Sequence, residues 1–197
     1  MDTSKQTGFL FLLLSLCISW GAAAQYLLKP TRVFDGNQMH EDWVVLVEAS
    51  EIAYAGAQSG LKVPKNTEII SLEGMTLMPG LIEGHSHLLL HPYNETSWND
   101  QVLKESTAER AIRGAVHAEK TLMAGVTTMR DLGSEGAGYA DVSLKKSIEA
   151  GIIQGPRLLV AGPAIVATGA YGPKGFHDGV NVPLGAEPAS GVGEVIA

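Results

Sequence analysis

The sequence predicts an α/β chain in which a strand-rich segment precedes parallel βαβ units. Three observations predict it. Residues 25–76 hold short β-branched and apolar runs separated by turn residues. Residues 106–125 and 140–151 carry helical spacing and are interleaved with strand-like runs at 126–130 and 157–161. An apolar stretch at 76–82 leads directly into His85-Ser86-His87. Strand–helix–strand order calls for parallel crossovers, which suit either a doubly wound sheet or a β/α barrel. A complete barrel takes about 250 residues, and residues 77–197 supply about half of one.

In the first segment, Trp43-Val44-Val45-Leu46-Val47 is the strongest strand, because β-branched and aromatic side chains fit a pleated, half-buried surface. Residues 26–34 precede it, with a turn at Asp35-Gly36-Asn37; residues 52–56 and 67–72 follow, the last ending at Glu73-Gly74. We expect a small antiparallel β unit. In the second segment, Ser106-Thr107-Ala108-Glu109 is a capping box, Ser oxygen and Glu carboxylate each satisfying a free backbone donor. Ala108, Ala111, Ile112, Ala115, Val116 and Leu122 then recur at helical spacing as the expected inner face, and Gly125 ends the helix. A second helix over 140–150 places Val142, Leu144 and Ile148 inside. Residues 88–105, with Pro92, Asn94 and Trp98, are expected to form a loop. Residues 167–193 are rich in Gly and Pro with little periodicity, the pattern of a functional or poorly ordered segment.

Composition narrows the function. The chain has 197 residues, 45% hydrophobic and 18% charged, which is too apolar for a disordered chain. A formal net charge of −7 lacks the basic surface that a nucleic-acid binder needs. Cys17 is the one cysteine, so no internal disulfide or Cys-based zinc module is possible. Lys5, the apolar run at 8–18 and Ala22-Ala23-Ala24 describe a secretory signal peptide, cleaved after Ala24. The run is shorter than the roughly 20 residues of a membrane span. The expected organisation is therefore a signal peptide at 1–24, β strands at 25–76 and a β/α segment at 77–197. The mature product would be exported, periplasmic or secreted, without a stable membrane anchor.

The sharpest chemical feature is His85-Ser86-His87 at the end of a strand. Side chains two apart on a strand point to the same side, so two imidazoles converge and can offer neutral nitrogens to a divalent metal. Asp131 ends the next strand, where it can line a pocket or serve a structural hydrogen bond. Thr168 and Tyr171 follow the third strand and can shape a substrate pocket. His91 is expected in a loop, His117 on a helix surface, and Arg130 in an ion pair or at a substrate. Trp43 and Trp98 are expected to pack.

The run Leu77-Met78-Pro79-Gly80-Leu81-Ile82-Glu83-Gly84-His85-Ser86-His87 resembles the opening signature of the amidohydrolase superfamily, an apolar strand with Pro-Gly and His-x-His, although Glu83 stands where many members have Asp. Residues 124–133, Ala-Gly-Val-Thr-Thr-Met-Arg-Asp-Leu-Gly, resemble the second strand of its imidazolonepropionase-like and Xaa-Pro dipeptidase-like branch, and the segment 44–56 resembles the strands of a small β-sandwich domain. The resemblance implies the first half of a (β/α)8 TIM barrel preceded by sandwich strands. It also implies one or two divalent ions, usually zinc, with His85 and His87 as the first ligands. The implied reaction is attack of a metal-activated water on a C–N bond of a small amide or dipeptide-like substrate. The family's later Lys, His and Asp have no counterpart in this sequence: Lys174 and His177 lie in the irregular segment. The alternatives are a truncated, non-catalytic product and an exported α/β binding domain. An oligomer is compatible with each.

Overall fold

The computed structural model describes residues 25–196. The expected signal peptide lies outside the described residues. The chain divides into two compact units, one ending at Pro79 and the other beginning at Gly80.

The first unit is one five-stranded sheet built on β1 (Gln25–Phe34). β2 (Met39–Glu41), β3 (Trp43–Glu48) and β4 (Glu51–Ala57) follow as antiparallel neighbours. The β1–β2 turn is fixed by Asp35, whose Oδ1 accepts from the Asn37 and Gln38 amides at 2.8 Å each. Its Oδ2 lies 2.8 Å from His40 Nε2, and the His40 ring stacks on Trp43 at 3.6 Å. β5 (Glu68–Leu77) differs from the expectation in two ways. It runs parallel to β1, so the unit is mixed rather than antiparallel, and it continues past Glu73-Gly74. The register shifts there, Gly74 adopts φ +77°, and its amide donates to Thr31 Oγ1 at 2.7 Å. A bulge of this kind absorbs the extra residues without ending the strand. Leu27, Val44 and Leu46, with Tyr54 and Leu61 against them, form this unit's core.

The second unit carries a parallel three-stranded sheet in the order β6–β7–β8. β6 (Leu81–Ser86) is followed by α1 (Trp98–Lys104) and α2 (Thr107–Met123). Then come β7 (Val126–Asp131), α3 (Ala140–Glu149) and β8 (Arg157–Val160). α1 occupies part of the expected loop. Its cap is a Ser97 hydroxyl accepting from the Asp100 amide at 3.2 Å, a signal visible in the spacing Ser97 to Asp100. Ser106 caps α2 in the same way through the Glu109 amide at 3.1 Å.

The inner face of α2 is only partly the expected one: Ala111 and Ala115 pack against the core, but Ala108, Ile112 and Val116 do not. Arg110, Gly114 and Ala118 are buried, whereas Ile112 and Val116 are 70% and 46% exposed. The tight approach explains the choice: a Cβ at Gly114 would lie 2.7 Å from Leu144 Cδ1 and 3.1 Å from Leu89 Cδ2. A side chain there would hold α2 off the layer it packs on, so Gly and Ala turn inward. Leu88, Leu89, Ala118, Met129, Leu144 and Leu158 form the core between sheet and helices. At about 25 cal/mol per Å² of apolar area, burial of such side chains is the main stabilising term.

Residues 161–196 are largely irregular, with β9 (Ile165–Val166) pairing in parallel with β10 (Glu187–Pro188) and α4 (Val192–Ile196) closing the described chain. The segment is tied down near its start and in its first half. Asn99 Nδ2 donates to the Lys174 carbonyl at 2.9 Å, and the Asp141 carboxylate accepts from the Gly162 amide at 2.7 Å. No described helix is long and apolar enough to cross a membrane.

Candidate functional site

The carboxyl ends of β6 and β7 lie side by side, with Ser86 opposite Asp131. His85 and His87 flank Ser86, and their ring centroids are 5.5 Å apart at an interplanar angle of 70°. His85 is exposed and its amide donates to Glu83 Oε1 at 2.9 Å. His87 is half-buried, with Nδ1 3.1 Å from the Gly133 carbonyl oxygen and 3.5 Å from Glu135 Oε1. A carbonyl oxygen only accepts, so Nδ1 donates in this contact, and the neutral ring then has its lone pair on Nε2.

Asp131 is fully buried at the end of β7. Its Oδ2 accepts from the Leu88 amide at 3.0 Å and its Oδ1 from the Gly133 amide at 3.2 Å. Burial pushes its carboxyl above the ordinary range, and the two backbone donors pull the other way. The residue thus pins both the segment leaving His87 and the segment that supplies the Gly133 carbonyl. Ser86 Oγ donates to the Arg130 carbonyl at 2.9 Å, and Arg130 Nε donates to the Gly84 carbonyl at 2.9 Å. Arg130 is therefore a backbone brace between β6 and β7.

Sequence reasoning did not single out Glu135. It is buried and holds φ +53°, a left-handed conformation uncommon outside Gly. Its Oε2 accepts from Trp98 Nε1 at 2.8 Å and from the Tyr171 hydroxyl at 2.6 Å. Trp98 and Tyr171 meet edge to face at 5.2 Å and, with Tyr93 and Lys174, line a pocket of about 290 Å³. Burial, then the bond to Glu135, raises the Tyr171 phenol above its ordinary value. Trp98, expected only to pack, also donates a hydrogen bond. A sequence signal existed in Ser134-Glu135-Gly136, a carboxylate in a Gly-rich turn just after a strand end.

Thr168 lies elsewhere in the unit: its Oγ1 accepts from Ser190 Oγ at 2.8 Å and the pair is exposed. His91 sits 3.2 Å from Glu105 Oε1. His117 is half-buried, and its Nδ1 meets the Leu88 carbonyl at 2.9 Å. Arg110, buried in α2, donates to the Leu89 carbonyl at 3.3 Å and the Ser134 carbonyl at 3.1 Å.

For a divalent ion, the donor set is partial. His85 and His87 are suited as two imidazole ligands on one side of a strand end, and the fixed tautomer of His87 frees Nε2 for coordination. Among the described residues, no three His, Cys, Asp or Glu side chains converge as a metal cage.

Residues 76–194 match the amidohydrolase family, and the chain belongs to that family. Among curated proteins, it is 41% identical over 63 residues to a dihydroorotase of Syntrophus aciditrophicus (strain SB), covering 32% of this chain and 15% of that protein. It is 44% identical over 69 residues to the exoenzymes regulatory protein AepA of Pectobacterium carotovorum subsp. carotovorum, covering 34% and 15%. Among solved structures, it superposes on a prolidase complexed with N-methylphosphonate-L-proline with a TM-score of 0.70 at 26% identity, covering 87% of this chain and 42% of that one. A Xaa-Pro dipeptidase with bound methionine gives 0.64 at 24% identity, covering 75% and 36%; at that identity the likeness is one of fold. The chain spans less than half the length of these solved relatives and 15% of the curated ones.

Proposed function

We propose that this chain is the amino-terminal part of an exported, metal-dependent amidohydrolase that cleaves a C–N bond in a small amide or dipeptide-like substrate. On this reading the parallel β6–β7–β8 sheet is the start of a (β/α)8 barrel, and the first unit contributes strands of a β-sandwich. The observation that carries the reading is the convergence of His85 and His87 at the carboxyl end of β6, beside the end of β7. In β/α barrels this is the end where active sites are built.

His85 and His87 would hold the ion, zinc on the present reading. When bound, such an ion acidifies a water and polarises a carbonyl oxygen. The chain's own residues do the rest of what can be assigned. The Gly133 carbonyl holds the His87 Nδ1 proton and keeps Nε2 free. Asp131 fixes the backbone on both sides of that contact. Tyr93, Trp98 and Tyr171 offer an apolar wall against which an amino-acid side chain can rest. The match to a prolidase structure supports the dipeptide-like substrate class.

The test is metal content and turnover of the purified chain, alongside His85→Ala, His87→Ala and the double variant. The reading expects zinc in the wild type and its loss in the double variant, with Xaa-Pro dipeptides and N-acyl amino acids as substrates to assay. Equal zinc in the wild type and the double variant would sink it. A second reading, that these 197 residues bind metal weakly and turn over nothing by themselves, is favoured by the two-ligand donor set, since a catalytic zinc ordinarily holds three protein ligands. Zinc uptake without turnover would select it.

A further inference from the structure

Glu135 is expensive to keep where it is. A carboxyl group is taken out of water, which costs stability unless its oxygens are bonded, and its backbone sits in the left-handed region at φ +53°, which strains a residue that has a Cβ. Neither cost is repaid by a helix cap or a sheet bond. Trp98 and Tyr171, residues from α1 and from the irregular segment after β9, both spend their polar atoms on Oε2. That leaves Oε1 as the oxygen directed at His87 Nδ1, 3.5 Å away. Arg110 runs behind the same turn, bonded to the Ser134 carbonyl.

We propose that Glu135 is a positioning residue for His87, and that Trp98 and Tyr171 hold it for that task. The inference rests on the metal-site reading above only for its consequence, not for its geometry. His87 Nδ1 bonds the Gly133 carbonyl at 3.1 Å, and the Glu135 carboxyl stands beside that bond at 3.5 Å, beyond ordinary hydrogen-bond distance. A carboxylate so placed favours the Nδ1–H tautomer electrostatically, with the Nε2 lone pair directed away. The carboxyl does more than the carbonyl alone can, because it also bonds two elements from other parts of the chain. The orientation of His87 is thereby coupled to the seating of α1 and of the segment carrying Tyr171. A ligand entering the Tyr93–Trp98–Tyr171 pocket would press on the same carboxyl that aims the imidazole.

The experiment uses the full chain with ¹⁵N-labelled histidine, at about pH 8 where an ordinary imidazole is neutral. Long-range ¹H–¹⁵N spectra report which ring nitrogen carries the proton, with His87 assigned by its absence in His87→Ala. The metal-free wild type is expected to show His87 protonated on Nδ1. Glu135→Gln, whose amide can present a donor in place of an acceptor, should move His87 toward the other tautomer or an average of the two. Tyr171→Phe, which removes one hydroxyl and keeps the ring, should move it part of the way, and it serves as the probe if Glu135→Gln does not fold.

Zinc affinity, read by competition with a chromophoric chelator, should fall by about tenfold to a hundredfold in Glu135→Gln. An unchanged His87 tautomer in both folded variants overturns the proposal, because Gly133 alone would then set the ring. A shifted tautomer with unchanged zinc affinity overturns its relevance to the ion. A shifted tautomer in a protein whose wild type takes no zinc leaves the positioning role standing and removes the metal reading.

Discussion

Asp131 at the end of β7 accepts, through Oδ2, the backbone amide of Leu88 at 3.0 Å, one residue past His87. Its other oxygen takes the Gly133 amide, whose own carbonyl faces His87 Nδ1 at 3.1 Å. One buried carboxyl therefore sets the path of the chain on both sides of the imidazole.

Asp131→Ala leaves two buried amides without partners. Each costs about 1–3 kcal/mol, so the variant should lose about 2–6 kcal/mol in urea unfolding, with His87 disordered in the folded fraction. Asp131→Asn keeps one acceptor and turns a donor toward the other amide, and its loss should be smaller than that of the alanine variant. Equal stability of wild type and Asp131→Ala would mean that the carboxyl is not a clamp.

Arg110 is buried in α2 and is spent on backbone carbonyls of Leu89 and Ser134. Arg110→Met fills much of the volume but strands both acceptors, and a loss of about 2–4 kcal/mol is expected. Arg110→Lys should not restore it, because an ammonium lacks the planar fork that reaches two acceptors at once. Denaturant midpoints of the two variants decide the point.

Gly80 has no room for a side chain, since a Cβ there would overlap the Thr127 side chain. Gly80→Ala should cost about 1–3 kcal/mol, the range for overpacking. The double variant Gly80→Ala with Thr127→Ala should recover part of that loss, giving a coupling energy well above the few tenths expected of independent sites. Additive losses would place the cost in the backbone rather than in the collision.

Asp35 offers a pH test in the first unit. Its carboxyl is lowered to about 2 from an ordinary 3.8, first by the Gln38 amide, then by His40 and the Asn37 amide. A lowered folded-state value means that the unfolded chain binds the proton more readily. The stabilisation is thus fully present above about pH 4 and is lost as pH falls toward 2. Asp35→Asn should flatten that part of the melting-temperature profile.

Much of the local structure was legible in the sequence. Ser106 and Glu109 marked the start of α2, and Gly125, at φ +95°, marked its end. The alternation of strand, helix and strand from β6 to β8 followed from period and turn residues. Other features were not legible. Ile112 and Val116 share the helical period with Ala111 and Ala115, yet Gly114 faces inward, because the separation of α2 from Leu89 and Leu144 is fixed by packing and not by hydrophobicity alone. α1 falls in a stretch whose sequence signals a loop, since seven residues give too little periodicity to outweigh Pro92 and Asn94. β5 ran on through Gly74 because pairing with β1 outweighed a local turn signal.

The sequence by itself brought His85, in β6, and His87, one residue past its end, close together, with ring centroids 5.5 Å apart, for a spacing of two residues is a local relationship. Only the tertiary structure decided what stands around them. Glu135 meets His87 across 48 positions, and Trp98 and Tyr171 reach that carboxyl across 37 and 36 positions of chain. Such meetings depend on the parallel register of β6 against β7 and on where the loops after each strand come to rest. Periodicity, capping and propensity act over a turn or two of chain, so they carry no information about which distant carboxyl arrives beside an imidazole.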